Sequence, residues 1–332
     1  MADPIPSPAL YQGVVFAFNG DADGLAAQQI LGLEIGHQAM KISGTKREIE
    51  LLGRLPHMAG GHVHALDISL RRNLAHLPAL LANRNIKVTW YDHHDPGEPP
   101  ADANLTVHVN QAPETCTAAI VNGVFGHRHP LWAAFAAFGD NLPATAAALS
   151  SAGGASSHES QLLRRAGTLI NYNAYGEEPG DQLFAALDLA KRMEPHVSPL
   201  DFCWEADVFP ALAAQFEADR DAFQALRPLV DAPAAKAFIS PDAAFARRYG
   251  ATWANERALE NPEEAFAILQ ENGDGTYRVS LRSPRRAGAV PAAGDLAKEF
   301  AGGGGRKLAA GIDALPPDQL DRFAKRFTEF YG

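Results

Sequence analysis

Short runs of apolar and β-branched residues at 14–18, 39–43, 62–66, 88–91 and 105–109 are separated by helix-like and turn-like stretches. That spacing predicts an α/β domain around a mostly parallel sheet. Three of the runs lead directly into acidic segments: Asn19-Gly20-Asp21-Ala22-Asp23-Gly24, Asp67, and Asp92-His93-His94. A carboxylate at the carboxyl end of a buried strand is strongly destabilising unless it is paired, hydrogen-bonded or bound to a cation. An apolar helix at 131–138 delivers a further one, Asp140. Carboxylates recurring at strand ends, with two imidazoles among them, predict one metal site.

Helices are expected at 24–33, opening straight after Asp23, and at 116–124 behind Thr115 as N-cap. Strand, glycine-containing turn and helix put ligands at the carboxyl edge of such a sheet. Residues 150–157 read as a loop, and helices follow at 161–170, 182–193 and 209–229. The texture then changes to a strand at 237–240 and a hairpin of 265–269 with 277–281 across Asn272-Gly273-Asp274-Gly275. A helix at 295–300 runs into Gly302-Gly303-Gly304-Gly305-Arg306-Lys307, and an amphipathic helix at 318–330 closes the chain. Arg282, Arg285, Arg286, Arg306 and Lys307 make a local basic group in a chain otherwise acidic. The expected organisation is an α/β domain (1–155), a helical extension and linker (156–232), and a smaller α/β domain (233–332).

At 332 residues the chain exceeds what one core usually supports, in keeping with more than one domain. A net charge of −10 argues against gripping long duplex nucleic acid through a broad basic face, while a small phosphate ligand fits. No apolar run is long enough to span a bilayer, and residues 1–8 lack the basic and apolar regions of a signal peptide. The expectation is a cytoplasmic protein without a membrane partner, its oligomeric state open. Cys116 and Cys203 are too few for a disulfide framework and wrongly spaced for a zinc knuckle.

Each motif has a plainer reading. Asp and Gly are common turn formers, Asp67 could cap a helix starting near Ser69, and Asp140 could end a helix. Gly302 to Gly305 could be a linker, although an apolar helix before them and an ordered-looking segment after them frame the glycines. Asp92-His93-His94 is the hardest to explain away. Adjacent side chains diverge, so one histidine can bind metal while the other reaches a ligand. Imidazole with carboxylates is a ligand set for Mn²⁺ or a similar divalent ion. The other histidines read as surface or core residues, with His108 the nearest to an exception, and Trp90, Trp132, Trp204 and Trp253 read most simply as core.

Taken together, Asn19 to Gly24, Asp67, Asp92-His93-His94 and Asp140 resemble, in order, the four motifs of the DHH phosphoesterase superfamily. That group includes RecJ-type single-strand exonucleases, nanoRNases and cyclic-dinucleotide phosphodiesterases. Ser280-Leu281-Arg282-Ser283 and the segment from Gly302 to Gly311 look like the strand and glycine-rich loop of the DHH-associated domain. The resemblance implies two divalent ions, Mn²⁺ first, with Mg²⁺ or Co²⁺ as alternatives. Asn19, Asp21 and Asp67 would hold one, and Asp23, Asp67, His93 and Asp140 the other. Asp92 would orient a histidine and His94 would face the scissile phosphate. Asp67, Asp92 and His94 are thus the expected catalytic residues. His94, Arg282, Ser283, Gly303, Gly304, Gly305 and Arg306 are the expected substrate contacts.

Two motifs depart from the family pattern. Ala17 and Asn19 stand where relatives carry a histidine or aspartate ligand, and Arg306 stands where they usually carry histidine. Arginine still binds phosphate, and bidentately. The expected activity is hydrolysis of a phosphate ester in a small nucleotide or short single-stranded oligonucleotide by a metal-activated water. Two alternatives remain: a RecJ-type exonuclease, and a nucleotide-binding regulatory protein on a degenerate frame.

Overall fold

A computed structural model of the protein describes residues 10–285 and 291–332, and Arg286 of the local basic group lies outside them. The chain divides into two compact units, Met1–Leu212 and Ala213–Gly332. Residues of the expected helical extension up to Leu212 therefore belong to the first unit.

In the first unit, β1 (Tyr11–Phe18), α1 (Ala22–Ile35), β2 (Met40–Ile42), β3 (Met58–Leu66), the short helices α2 (Leu70–Asn73) and α3 (Leu77–Leu81), β4 (Ile86–Asp92) and β5 (Leu105–Val109) build the sheet and its first crossovers. The five strands run parallel in the order β2-β1-β3-β4-β5. Alternation sorts the faces: Val15, Ala17, Val63, Ala65, Val88 and Trp90 pack in one apolar layer with Leu51, Leu70 and Leu77. Residues of opposite parity, among them Phe16, His64 and Tyr91, point to the other face, where the rings of His62, His64, Tyr91 and His108 form a row. His108 therefore stacks within that row.

The helices that follow are α4 (Thr117–Val124), α5 (Pro130–Gly139), α6 (Pro143–Ala152), α7 (Ser157–Ala174), α8 (Ala186–Met193), α9 (Pro199–Glu205) and α10 (Val208–Gln224). α1 packs on α4 and α5 and is buried from Ala22 to Gly32, in keeping with apolar residues on all its faces. α6 continues through Ser150, which is buried, so the loop expected at 150–157 shrinks to a short connection. Its alanine-rich sequence favours the helix over the small polar residues at its end. Trp204 departs from the expected core placement: it is 64% exposed and stacks on His158. None of the described helices is long and apolar enough to cross a membrane.

The second unit contains β6 (Pro228–Ala232), β7 (Ala235–Ser240), α11 (Ala244–Glu260), β8 (Ala265–Glu271), β9 (Tyr277–Arg282), α12 (Ala293–Ala297), β10 (Gly303–Gly305), β11 (Ala309–Leu315) and α13 (Leu320–Tyr331). Its sheet order is β10-β11-β9-β8-β7-β6, with only β7 and β8 parallel. Leu296, Phe300, Phe323 and Phe327 from the helical side join Val279, Leu281 and Ile312 in its core. The helix expected over 209–229 stops at Gln224, and β6 begins at Pro228, an edge-strand position where a missing N–H is tolerated. The glycine segment expected as a loop instead pairs with β11 as an edge strand, Gly303 opposite Ile312 and Gly305 opposite Ala310. A Cβ at Gly303 would lie 1.8 Å from the Ala297 carbonyl oxygen, so only glycine lets this strand press against α12.

Candidate metal centre

The order β2-β1-β3 reverses direction between β1 and β3, and ligands in open α/β sheets bind at the carboxyl ends flanking such a reversal. The register sets three motif residues level there. Phe18 pairs with Leu66 and Leu66 with Tyr91, so Asn19, Asp67 and Asp92 follow side by side. The Asn19 N–H donates to the Leu66 carbonyl (3.2 Å) and the Asp67 N–H to that of Tyr91 (3.0 Å). Asp67 has φ of 57°, a left-handed conformation uncommon in non-glycine residues and concentrated at functional sites. It is not a helix cap: Ser69 accepts from the Arg72 N–H at the start of α2.

Asp21 and Asp23 are both buried and both capture backbone donors. Asp21 Oδ1 accepts from the N–H groups of Asp23 and Gly24 (3.2 and 3.1 Å), which makes it the N-cap of α1. The two Asp23 oxygens accept from the N–H groups of Thr117 and Ala118, each at 2.7 Å. This carboxylate, 94 residues away, caps α4 in place of Thr115, the expected cap. Cys116 occupies the N-cap position with no side-chain bond. The Thr115 carbonyl instead lies 3.1 Å from His93 Nδ1, which turns Nε2 toward the carboxylates.

His93 Nε2 lies 3.5 Å from Asp67 Oδ1 and 4.0 Å from both Asp23 Oδ2 and Asp140 Oδ2. Asp140 arrives on the C-terminus of α5, where Gly139 passes so close to α1 that a Cβ would lie 2.6 Å from that of Ala22. Ligand atoms of Asp23, His93 and Asp140 lie within 4.8 Å of one another, as do those of Asp67, His93 and His94. Asp92 Oδ1 accepts from the backbone N–H groups of His93 and His94 and lies 2.7 Å from His94 Nδ1. The histidine it orients is therefore His94, whose ring is half exposed.

The electrostatics of the cluster suit a cation. Burial and then the charges of Asp23, Asp21 and Asp140 push the Asp67 carboxyl well above its ordinary pKa. Asp140 is raised for the same reasons, burial first, then Asp23 and Asp21. The bond from Asp92 raises His94. Asn19 is 5% exposed and its Oδ1 meets no hydrogen-bond donor, a costly state that a metal ion relieves. Oxygen donors with one imidazole fit a divalent ion of the Mn²⁺ or Mg²⁺ kind. The site opens into a cavity of about 330 Å³ lined by Asn19, Asp21, Lys46, Asp67, His93, His94 and Asp140, among others.

Residues 251–332 match the DHHA1 domain family. The fold of the chain is similar to that of a RecJ exonuclease bound to manganese, with a TM-score of 0.61 at 18% identity over 96% of this chain and 90% of that one. It is also similar to a pGpG-specific phosphodiesterase from Vibrio cholerae, with a TM-score of 0.54 at 12% identity over 96% and 99% of the two chains. Residues 251–332 are thus a DHHA1 domain, and the chain has a RecJ-like fold. RecJ of Thermus thermophilus in complex with Mn²⁺ is similar too (TM-score 0.56, 18% identity), but only 52% of that chain is covered. A sequence search of curated proteins finds no match.

In the first unit, sequence reasoning overlooked Lys46. Its Nζ lies 2.5 Å from Asp21 Oδ2, with the side chain about one-third exposed (31%). Burial opposes the charge of Asp21, yet Lys46 and the backbone bond from Gly24 bring its pKa below the ordinary value. Lys46 is raised in turn: burial works against it, and Asp21, Tyr175 and Asp140 prevail. Thr117 was also missed; its hydroxyl donates to Asp67 Oδ1 (3.0 Å).

The expected substrate contacts of the DHHA1 domain lie in the second unit and differ in character. Arg306 and Lys307 are exposed in the turn joining β10 to β11, closed by the Arg306 N–H to the Ala309 carbonyl (2.8 Å). Gly304 has open space where a Cβ would stand. Arg282 ends β9, half-buried. Ser283 is buried at 2% exposure, its hydroxyl 3.0 Å from the Pro291 carbonyl and 2.8 Å from the Tyr331 hydroxyl. That hydroxyl is engaged inside the unit, where it ties the end of β9 to the last helix.

Proposed function

We propose that the chain is a divalent-metal-dependent phosphoesterase acting on a small nucleotide or a short single-stranded oligonucleotide. The observation that carries the reading is the convergence of Asp23, Asp67 and Asp140 on His93 Nε2 beside one cavity, with Asp67 and Asp140 driven toward protonation by burial and then by neighbouring carboxylates. A divalent ion held by these residues would neutralise phosphoryl oxygens and lower the pKa of a bound water. Asp23 and His93 are fixed before any ion arrives, the first by two α4 N–H groups and the second by the Thr115 carbonyl. His94, held through Nδ1 by Asp92, keeps Nε2 for a phosphoryl oxygen, and its raised pKa favours the donating form. Arg282, Arg306 and the backbone of Gly303 to Gly305 are proposed as phosphate contacts in the second unit.

The net charge of −10 favours short substrates over processive degradation of long strands. The test uses purified protein with Mn²⁺, bis-p-nitrophenyl phosphate, dinucleotides and long single strands. Hydrolysis of the short substrates, abolished by Asp67→Ala, is expected. No hydrolysis of any substrate, with Asp67→Ala indistinguishable from the parent, would sink the reading. Tight nucleotide binding in calorimetry without turnover at any divalent ion would favour the regulatory alternative.

A further inference from the structure

We propose that Lys46 takes the place of one of the two cations implied by the superfamily, leaving a single divalent ion beside a fixed ammonium. The inference rests on reading the cavity as a metal site, and its test separates the two. A first ion would need Asn19, Asp21 and Asp67. Asp21 has little left to offer: Oδ1 accepts two backbone N–H groups and Oδ2 accepts the Lys46 ammonium. Asn19 supplies a neutral amide oxygen, and Ala17, in the apolar layer beside Val15, supplies nothing. An ion at this corner would stand against an ammonium with little added negative charge to offset the repulsion.

Lys46 is held there by more than Asp21. Its backbone N–H donates to the Ala174 carbonyl (3.4 Å), and its ammonium lies 5.3 Å from the centre of the Tyr175 ring. The loop that carries it is closed locally, Thr45 N–H to Glu48 Oε2 at 2.8 Å and Glu48 N–H to the Thr45 carbonyl at 3.0 Å. The other corner stays available to an ion. Asp23, His93 and Asp140 group there with Asp67 beside them, and Lys46 acts on it only as a nearby charge that lowers Asp140. Lys46 lines the cavity, so the ammonium supplies a permanent point charge to a phosphoryl oxygen beside the remaining ion.

The test is the number of Mn²⁺ ions held by the full chain, from metal content after saturation and desalting, with electron paramagnetic resonance to separate isolated from exchange-coupled ions. The parent is expected to hold one isolated ion, Lys46→Arg one, and Lys46→Met two coupled ions. A parent that holds two overturns the proposal, because the ammonium then yields to a cation. A Lys46→Met variant that folds and still holds one also overturns it, because something other than the ammonium excludes the ion. If Lys46→Met does not fold, the parent and the arginine variant decide. A parent that binds no Mn²⁺ refutes this inference and the metal reading together. One ion without hydrolysis refutes only the proposed activity, and two ions with hydrolysis refute only the role of Lys46.

Discussion

Asp23 carries two duties whose energies oppose each other when no metal is bound, and Asp140 carries only one of them. Both carboxylates face the same crowded pocket, where each raises the pKa of Asp67. Asp23 alone also closes the N-terminus of α4. An amide in its place keeps one acceptor and turns an NH₂ toward the second backbone N–H. The loss is one charge-assisted hydrogen bond, about 1.5–3 kcal/mol, and up to about 1 kcal/mol of favourable interaction with the helix dipole. Relief of like-charge repulsion on Asp67 and Asp140 offsets part of this. Asp23→Asn should therefore destabilise the metal-free protein by about 1–2 kcal/mol on those magnitudes. Asp140→Asn relieves the same repulsion without uncapping a helix, and should stabilise the metal-free protein by about 1 kcal/mol. Thermal unfolding in EDTA measures the two, and amide exchange at Thr117 and Ala118 should accelerate only in Asp23→Asn. Added Mn²⁺ should raise the midpoint of the parent and of neither variant. Equal shifts of the same sign in EDTA, with unchanged exchange at Thr117, would refute the idea that Asp23 builds the fold as well as the site.

Three further outcomes follow from other parts of the chain. His64 is 5% exposed, and burial, with the neighbouring His62, pulls its pKa down to about 3. The unfolded chain thus binds the extra proton first, so stability is full above about pH 6.5 and falls toward pH 3, with about 2 kcal/mol gone by pH 5; urea midpoints at pH 7.5 and 5 should show a smaller difference in His64→Leu. Gly139→Ala places a methyl 2.6 Å from the Ala22 Cβ and 3.0 Å from Asn171 Oδ1. Overpacking of that kind destabilises by about 1–3 kcal/mol, and because it shifts Asp140 the variant should also lose Mn²⁺ affinity in calorimetry. In the second unit, Asp219 accepts from Arg248 Nε and a terminal nitrogen at 2.7 and 2.9 Å, with both side chains buried. Asp219→Ala strands a buried guanidinium and should destabilise that unit by about 3–5 kcal/mol, seen as faster proteolysis with an unchanged metal count.

The strands of the first unit were readable because a parallel sheet covered on both faces demands short, continuous apolar runs, and three of those runs led directly into a carboxylate-bearing segment. Residues 105–109 and the hairpin around Asn272 matched closely, since alternation and turn chemistry are local. Boundaries set by tertiary pairing were not readable. β6 went unassigned, its first two residues taken into the expected helix, because Pro228 to Ala232 forms a strand only by pairing with β7. α11 went unassigned although Phe245, Tyr249 and Trp253, spaced by four, mark the face that packs on Phe223 and Phe266. The glycine segment became a strand because β11 supplied a partner edge and α12 left room for nothing larger than hydrogen.

The site divides along the same line. Its carboxylates and His93 were legible because a charge at the end of a buried run needs an explanation wherever it occurs. Lys46 and Thr117 were not, since a lone lysine in a loop or a threonine at a helix start needs none. What brings Lys46 in is the parallel pairing of β2 with β1, Val15 beside Met40 and Ala17 beside Ile42, which opens the loop after β2 at the same sheet edge as the loop after β1. The signal that would have found it was topological: once β2 is placed next to β1, a basic residue just past its end faces the first acidic turn. The same reasoning explains why Asn19 is tolerated. With an ammonium supplied from the neighbouring loop, a second aspartate at that position would serve an ion the pocket no longer has to hold, and a neutral amide leaves the charge of Asp21 matched to Lys46 alone.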